Sequence, residues 1–186
     1  STIGLNGLYE ALEILNYNIV SDEGLEFAGS LLDYINECND EIGDELGAPV
    51  NLEQIPAENV SVKLADKDRL LGYNDRYEIY SNQFVPLTYT GIGSDVFTKI
   101  KIQGALDKKL SGGSILHINI NEKEITSETY INLIKATFKS GTIYFAFNKL
   151  ICLCQECGKV FASNKRKSFS FTSSGMVETI SRSCTS

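Results

Sequence analysis

Several things are missing from this sequence, and each absence narrows its role. Positive charge is in short supply: 17 Lys and Arg face 24 Asp and Glu, a formal net charge of −7. Nucleic acids and anionic membranes recruit proteins through basic surface, so neither is expected as the main partner. No apolar run approaches the about 20 residues that span a bilayer, and no signal peptide is visible. A cytoplasmic location is therefore expected. An initiator methionine is also lacking: the chain opens at Ser1 and enters an apolar, glycine-containing run at once, as a piece cut from something longer would. Finally, the five cysteines (Cys38, Cys152, Cys154, Cys157 and Cys184) are odd in number and three lie between positions 152 and 157. With no secretion signal, that pattern favours a reduced protein with a metal site over a disulfide framework.

What is present is ordinary for a globular protein. Of the 186 residues 42% are hydrophobic and 22% charged, enough for one good core with a small appendage. We expect a domain over residues 1–150 and a tail over 151–186.

The stretch from Val50 to Asp68 carries the most chemistry. Val50 and Leu52 lead into Ile55-Pro56-Ala57-Glu58-Asn59, and a helical pattern follows with Ala57, Val60, Leu64 and Leu71 on one face. Pro56 suits the first helical position, where its fixed φ is right and its missing N–H is not needed. A strand, tight loop and helix in this order aim unpaired N–H groups and the positive end of a helix dipole into the space beyond the strand, a place suited to a phosphate. Such junctions are common, and Glu58 in the first turn has a plain role in complementing the dipole. On chemistry alone the anion site is the lesser reading.

The other elements follow from periodicity. Thr2 to Leu5 reads as a strand, then Asn6 leads into a helix with Leu8, Leu12 and Leu15 on one side. Residues 24–47 form an amphipathic helix with Leu31, Leu32, Ile35, Cys38, Ile42 and Leu46 inward, stopped by Gly47 and Pro49. Tyr77 to Leu87 is rich in β-formers. Ser94 is positioned to cap a helix from Asp95 to about Leu110, although Lys99-Ile-Lys-Ile102 alternates as a strand would. Ser114 to Ile120 is a strand whose one face (Leu116, Ile118, Ile120) is apolar; the other carries His117, the single histidine, and Asn119. A buried, hydrogen-bonded histidine is the reading preferred over a catalytic one. Thr126 or Ser127 opens a helix with Tyr130, Ile131, Ile134 and Phe138 inward, and Thr142 to Asn148 is again a strand. Strands alternating with helices predict an α/β fold with largely parallel strands.

Cys154-Gln-Glu-Cys157-Gly158 is a zinc half-site: two thiolates two residues apart chelate one ion, and the glycine allows the turn that aims them. Cys184 is the further ligand downstream, with Cys152 a crowded candidate upstream. A redox pair or bare thiols are the competing readings. The basic run Ser163-Asn-Lys-Arg-Lys-Ser168 lacks stacking aromatics, so it reads as a solvated loop rather than a nucleic-acid contact.

Taken together, several runs resemble the C-terminal part of the catalytic subunit of anaerobic (class III) ribonucleoside-triphosphate reductase, a glycyl-radical enzyme. They are Thr2-Ile-Gly-Leu-Asn-Gly-Leu-Tyr-Glu10, Ile55-Pro-Ala-Glu-Asn59 with Lys63-Leu-Ala-Asp-Lys-Asp68, Tyr80-Ser-Asn-Gln-Phe84, Ile102-Gln-Gly104, Gly112-Gly-Ser-Ile-Leu-His-Ile-Asn119, and Tyr144-Phe-Ala-Phe-Asn148 before the CxxC. Their order and spacing match along about residues 1–160. The resemblance implies the later half of a ten-stranded α/β barrel followed by a partial zinc ribbon. It implies that Pro56, Ala57, Glu58 and Asn59 lie where substrate phosphates bind, with His117 and Asn148 also facing substrate. Zinc would sit on Cys154, Cys157 and Cys184.

The implied reaction reduces the ribose 2′-hydroxyl of a nucleoside triphosphate, using a glycyl radical made by a separate iron–sulfur, S-adenosylmethionine-dependent activase. The complete enzyme is expected to be a homodimer. Departures from the family pattern are equally plain. The thiyl cysteine precedes the matched stretch, and a second CxxC is not present: either the chain stops at Cys184 before its partner, or Phe171 and Ser174 hold those positions. Val177 to Arg182 is similar to the run before the radical glycine, but no glycine follows. The chain alone is therefore expected to be inactive. The competing reading is a non-catalytic zinc-ribbon interaction module on an α/β base.

Overall fold

The computed structural model describes residues 1–56, 58–86, 91–120, 125–149, 151–153, 160–162, 169–172 and 175–179; for Glu58, Lys149 and the residues from Ile151 onward it describes the backbone alone. The chain divides into two units, residues 1–116 with 132–145 and residues 117–131 with 146–186.

The first unit opens with strand β1 (Thr2–Leu5) and helix α1 (Leu8–Ile14). Helix α2 (Asp22–Leu46) begins where Ser21 accepts a hydrogen bond from the Gly24 N–H at 3.0 Å, with Asp22 and Glu23 in its first turn. It ends at Gly47, whose φ of 64° places it in the left-handed region and lets Gly47 and Ala48 donate back to Asp44 and Gly43 carbonyls. Strand β2 (Asn51–Gln54) pairs parallel with β1, Ile3 opposite Leu52 and Leu5 opposite Gln54. Helices α3 (Glu58–Leu70) and α4 (Val96–Asp107) complete the unit, together with residues 132–140 of helix α5 (Ser127–Ser140). The cap of α4 is Asp95, not Ser94: its carboxylate accepts from the Thr98 N–H at 2.9 Å. Lys99 to Ile102 is helical, because Ile100, Ile102, Gln103, Gly104 and Leu106 bury one side of that helix.

One apolar core holds the unit together. Leu8 and Leu12 of α1, Ala28 and Leu32 of α2, Leu52 of β2 and Ile102 and Leu106 of α4 meet there, joined by Phe84 and Val85. At about 25 cal/mol per Å² of buried apolar surface, such a cluster is the main favourable term.

Four expectations from periodicity are corrected. The stripe Val60, Leu64 and Leu71 faces outward, 42, 40 and 68% exposed, while Ser61 and Ala65 are fully buried. Helix α3 docks by its small residues, with the Ser61 hydroxyl donating to Asn6 Oδ1 at 2.9 Å. Ile131 and Phe138 of α5 are likewise exposed and Leu133 and Thr137 buried; Thr137 is satisfied by donating to the Leu133 carbonyl at 2.8 Å. Residues 77–86 run as bends and irregular backbone, not a strand. Side chains hold them: Asn74 donates to the Tyr77 carbonyl at 2.7 Å, and Glu10 accepts from the Ser81 N–H at 3.0 Å. In α2 the inward stripe stops early. Cys38 is half-buried, and Ile42 and Leu46 are exposed.

In the second unit strand β3 (Leu116–Ile120) pairs with β4 (Phe145–Lys149), and Ile118 and Ile120 are buried as the alternation predicts. The expected strand from Thr142 thus begins three residues later. Strands β5 (Ile151–Leu153), β6 (Val160–Ala162), β7 (Phe169–Thr172) and β8 (Gly175–Thr179) form a sheet in the order β6-β5-β8-β7, parallel between β5 and β8 and antiparallel elsewhere. The architecture is mixed α/β. Among the described residues its sheets are open and none closes into a barrel. No helix is long and apolar enough to cross a membrane.

Candidate functional site

Parallel strands followed by helices put two strand-to-helix turns at one edge, where the carboxyl ends of β1 and β2 meet the starts of α1 and α3. The first turn is Asn6-Gly7. Gly7 has a φ of 78°, and its N–H donates to the Ser81 carbonyl at 2.8 Å. A side chain at that φ would be strained. The second turn is Ile55-Pro56. Here the geometry differs from expectation: α3 starts at Glu58, so Pro56 precedes the helix by two residues instead of standing in its first turn. Pro56 and Asn59 are both exposed, which leaves the helix start open. Ala57 and the Glu58 side chain lie outside the described residues.

Around this edge a polar framework sets the positions. Asn6 is fixed at its oxygen by Ser61, while its buried Nδ2 has no partner among the described residues. Composition had no means of marking Asn6; the signal was its place directly after a strand and before a glycine. Glu10, 4% exposed, accepts from the Ser81 N–H with both oxygens and from the Ser81 hydroxyl at 2.6 Å. The Tyr80 hydroxyl donates to Asp68 at 2.7 Å, and its pKa is pushed up to about 12 by burial first and by that carboxylate second. Tyr77, donating to Glu13 at 2.9 Å, is raised to about 12 for the same two reasons in the same order. Both phenols therefore stay protonated donors across the physiological range.

His117 and Asn148 belong to the second unit, and the structure brings them together. Asn148 Nδ2 lies 3.0 Å from His117 Nδ1. An amide nitrogen can only donate, so Nδ1 is the acceptor of this pair. Both side chains are half-buried. Cys154, Cys157 and Cys184 lie outside the described residues, as does Ser174; among the described residues no group of three or more Cys, His, Asp or Glu is placed to hold a metal.

A second polar cluster sits beside the carboxyl end of β2. Asp107, closing α4, accepts from Gln103 Nε2 at 2.8 Å, from the Ser114 hydroxyl and from Thr142. Burial raises its pKa, and those three donors partly offset the rise. An acid whose pKa is raised by folding binds more protons folded than unfolded. Its contribution is therefore present at acid pH and lost as pH climbs from the ordinary carboxylate range through the raised value. Asp107→Asn keeps the acceptor oxygen and removes the charge. We expect it to flatten that limb of the stability curve, measured by urea unfolding at a series of pH values; an unchanged slope would refute the assignment.

Comparison with known proteins follows the same lines. Residues 1–184 match the anaerobic ribonucleoside-triphosphate reductase family. Among solved structures, the chain is similar to an anaerobic ribonucleotide reductase at 40% identity and a TM-score of 0.74, over 88% of this chain and 26% of that one. It is equally similar to the Thermotoga maritima anaerobic ribonucleotide reductase with glycerol in its active site, at 40% identity and a TM-score of 0.74, over 88% and 28% of the two chains. A third, the same Thermotoga maritima enzyme in complex with dATP and CTP, matches at 40% identity and a TM-score of 0.73, again over 88% and 28%. No curated protein matches. The chain thus spans about a quarter of the length of the structures it resembles.

Proposed function

The chain belongs to the anaerobic ribonucleoside-triphosphate reductase family, and from that premise we propose that it is the part of the catalytic subunit that supplies a substrate-phosphate wall. The observation that carries this is the open start of α3, exposed at Pro56 and Asn59 just past a parallel strand, with the unpartnered Nδ2 of Asn6 among the groups held at the same edge. Pro56, Ala57, Glu58 and Asn59 are the segment proposed to meet the triphosphate, Pro56 giving no N–H of its own. A helix start favours an anion by about 1 kcal/mol, more when partly buried. From the family resemblance His117 and Asn148, hydrogen-bonded to each other, are proposed to contact substrate in the complete enzyme.

In the whole enzyme the reaction would reduce the ribose 2′-hydroxyl of a ribonucleoside triphosphate by glycyl and thiyl radical chemistry, yielding a deoxyribonucleotide. The glycyl radical, its activase and a homodimeric partner belong to that complete assembly, which acts in the cytoplasm. The remainder of the reductase is this chain's first partner. Zinc on Cys154, Cys157 and Cys184 would have a structural role. The barrel's later half is the fold proposed for the assembled state.

Since the radical carriers of the family fall outside the matched motifs, the chain alone binds nucleotide weakly and turns none over. Equilibrium dialysis with a labelled ribonucleoside triphosphate tests this. We expect binding that inorganic tripolyphosphate displaces and the free nucleoside does not. Displacement by nucleoside but not tripolyphosphate would refute the phosphate wall, and dNTP formation by the chain alone would refute its inactivity.

A further inference from the structure

The Ile102-Gln-Gly104 run has no role in the reading above, yet its glutamine is the centre of a connected polar cluster in the first unit. Gln103 is 1% exposed. Its Nε2 donates to Asp107 Oδ1 at 2.8 Å and to Ser114 Oγ at 2.8 Å, and lies 3.3 Å from Gln54 Oε1. Two hydrogens thus serve three acceptors, with Gln54 taking the longest share. Ser114 in turn donates to Asp107, and Thr142 closes the set; Gln54, Ser114 and Thr142 are all buried.

The location gives this cluster its meaning. Gln54 is the last residue of β2, and only Ile55, Pro56 and Ala57 separate it from α3. Its backbone N–H donates to the Gly113 carbonyl at 3.1 Å, and Gly112 N–H donates to the Leu52 carbonyl at 2.7 Å. A Cβ at Gly112 would stand 3.0 Å from that carbonyl oxygen, so the approach is as close as backbone permits. Residues 112–113 therefore hold the end of β2 through its backbone, and Gln103 holds it through its side chain. Ser114 follows the first grip directly in the chain and takes part in the second through its hydroxyl. An apolar residue would fill the same space without desolvating four polar groups. What hydrogen bonds add is direction.

We propose that Gln103 and Asp107 are a positioning pair that sets the end of β2 and, through it, the aim of the first α3 N–H groups at a phosphate. This rests on the phosphate-wall reading. Asp107 is the titratable member of the cluster. The charged neighbours on the packed elements are Lys108, whose side chain lies over Gly141, and Glu53, whose Cβ borders Gly112.

Amide hydrogen exchange on the full chain tests the pair. The reporters are the Gln54 and Ile55 N–H groups, bonded to the Gly113 and Leu5 carbonyls. In Gln103→Met, a substitution of similar size, we expect these two amides to exchange about tenfold faster while amides of α1 and α2 hold their rates. Gln103→Glu provides the second measurement. At pH 7 its carboxylate faces that of Asp107 and the same two amides are fast. At pH 5 the pair shares a proton, and their protection returns toward the parent value after correction for intrinsic rates. A uniform rise across the chain, unchanged rates at Gln54 and Ile55, or no recovery of Gln103→Glu at pH 5 would each overturn the proposal. If Gln103→Met does not fold, the Gln103→Glu pH comparison decides. Failure of tripolyphosphate to compete for nucleotide would sink the phosphate wall and leave this exchange result standing.

Discussion

Gly104→Ala is expected to destabilise the first unit by about 3 kcal/mol, the scale of severe overpacking. Propensity alone gives the opposite sign, since alanine inside a helix is better than glycine by about 1 kcal/mol. The contact decides. A Cβ at position 104 would lie 2.4 Å from both the carbonyl oxygen and the hydroxyl of Ser140, and 2.6 Å from the carbonyl carbon. A flexible side chain swings aside, but a backbone carbonyl at the end of α5 does not. The helices must separate, and Gln103 next door would lose its reach. Urea unfolding measures the cost, and a Gly104→Ala protein as stable as the parent would show that α4 and α5 do not meet in this way.

Glu10→Leu is expected to cost about 2 kcal/mol. A buried carboxylate is itself unfavourable, and leucine removes that penalty. Against this stand two donors of Ser81, the N–H and the hydroxyl, which lose a charge-assisted acceptor worth roughly 1.5–3 kcal/mol per bond. The loss outweighs the gain. Glu10→Gln keeps one acceptor oxygen and should recover more than half of the difference in the same unfolding assay. A leucine variant more stable than the parent would mean that burial of the charge, not the clamp on Ser81, dominates.

These two sites show where reading from residues succeeds and where it stops. Gly47 as the stop of α2 and the alternation of β3 were legible because each depends on a neighbour within a few residues. The turn after β2 was also legible, although α3 begins past Pro56 by two positions. The face of α3 was misread for a physical reason. Periodicity says which residues share a side, and Val60, Leu64 and Leu71 do; it does not say whether anything lies against that side. Phe138 and Ile131 of α5 repeat the lesson. The β-formers between Tyr77 and Pro86 went astray because their partners, Asn74 and Glu10, act through side-chain bonds to backbone that no strand pattern contains. Glu10 and Gln103 were hidden in plain view as polar residues on apolar faces, their partners 71 and 11 residues away for Ser81 and Ser114.

The outward apolar residues of α3 have a thermodynamic consequence. Leu70 and Leu71 meet water in the folded chain over most of their surface, and Val60 and Leu64 over about two fifths of theirs. Melting therefore uncovers less new hydrocarbon than a core-facing helix would, and the heat-capacity increment that curves a protein's free energy with temperature is correspondingly smaller. The stability of this piece follows a shallower dome, less sharply peaked and slower to fall away on cooling.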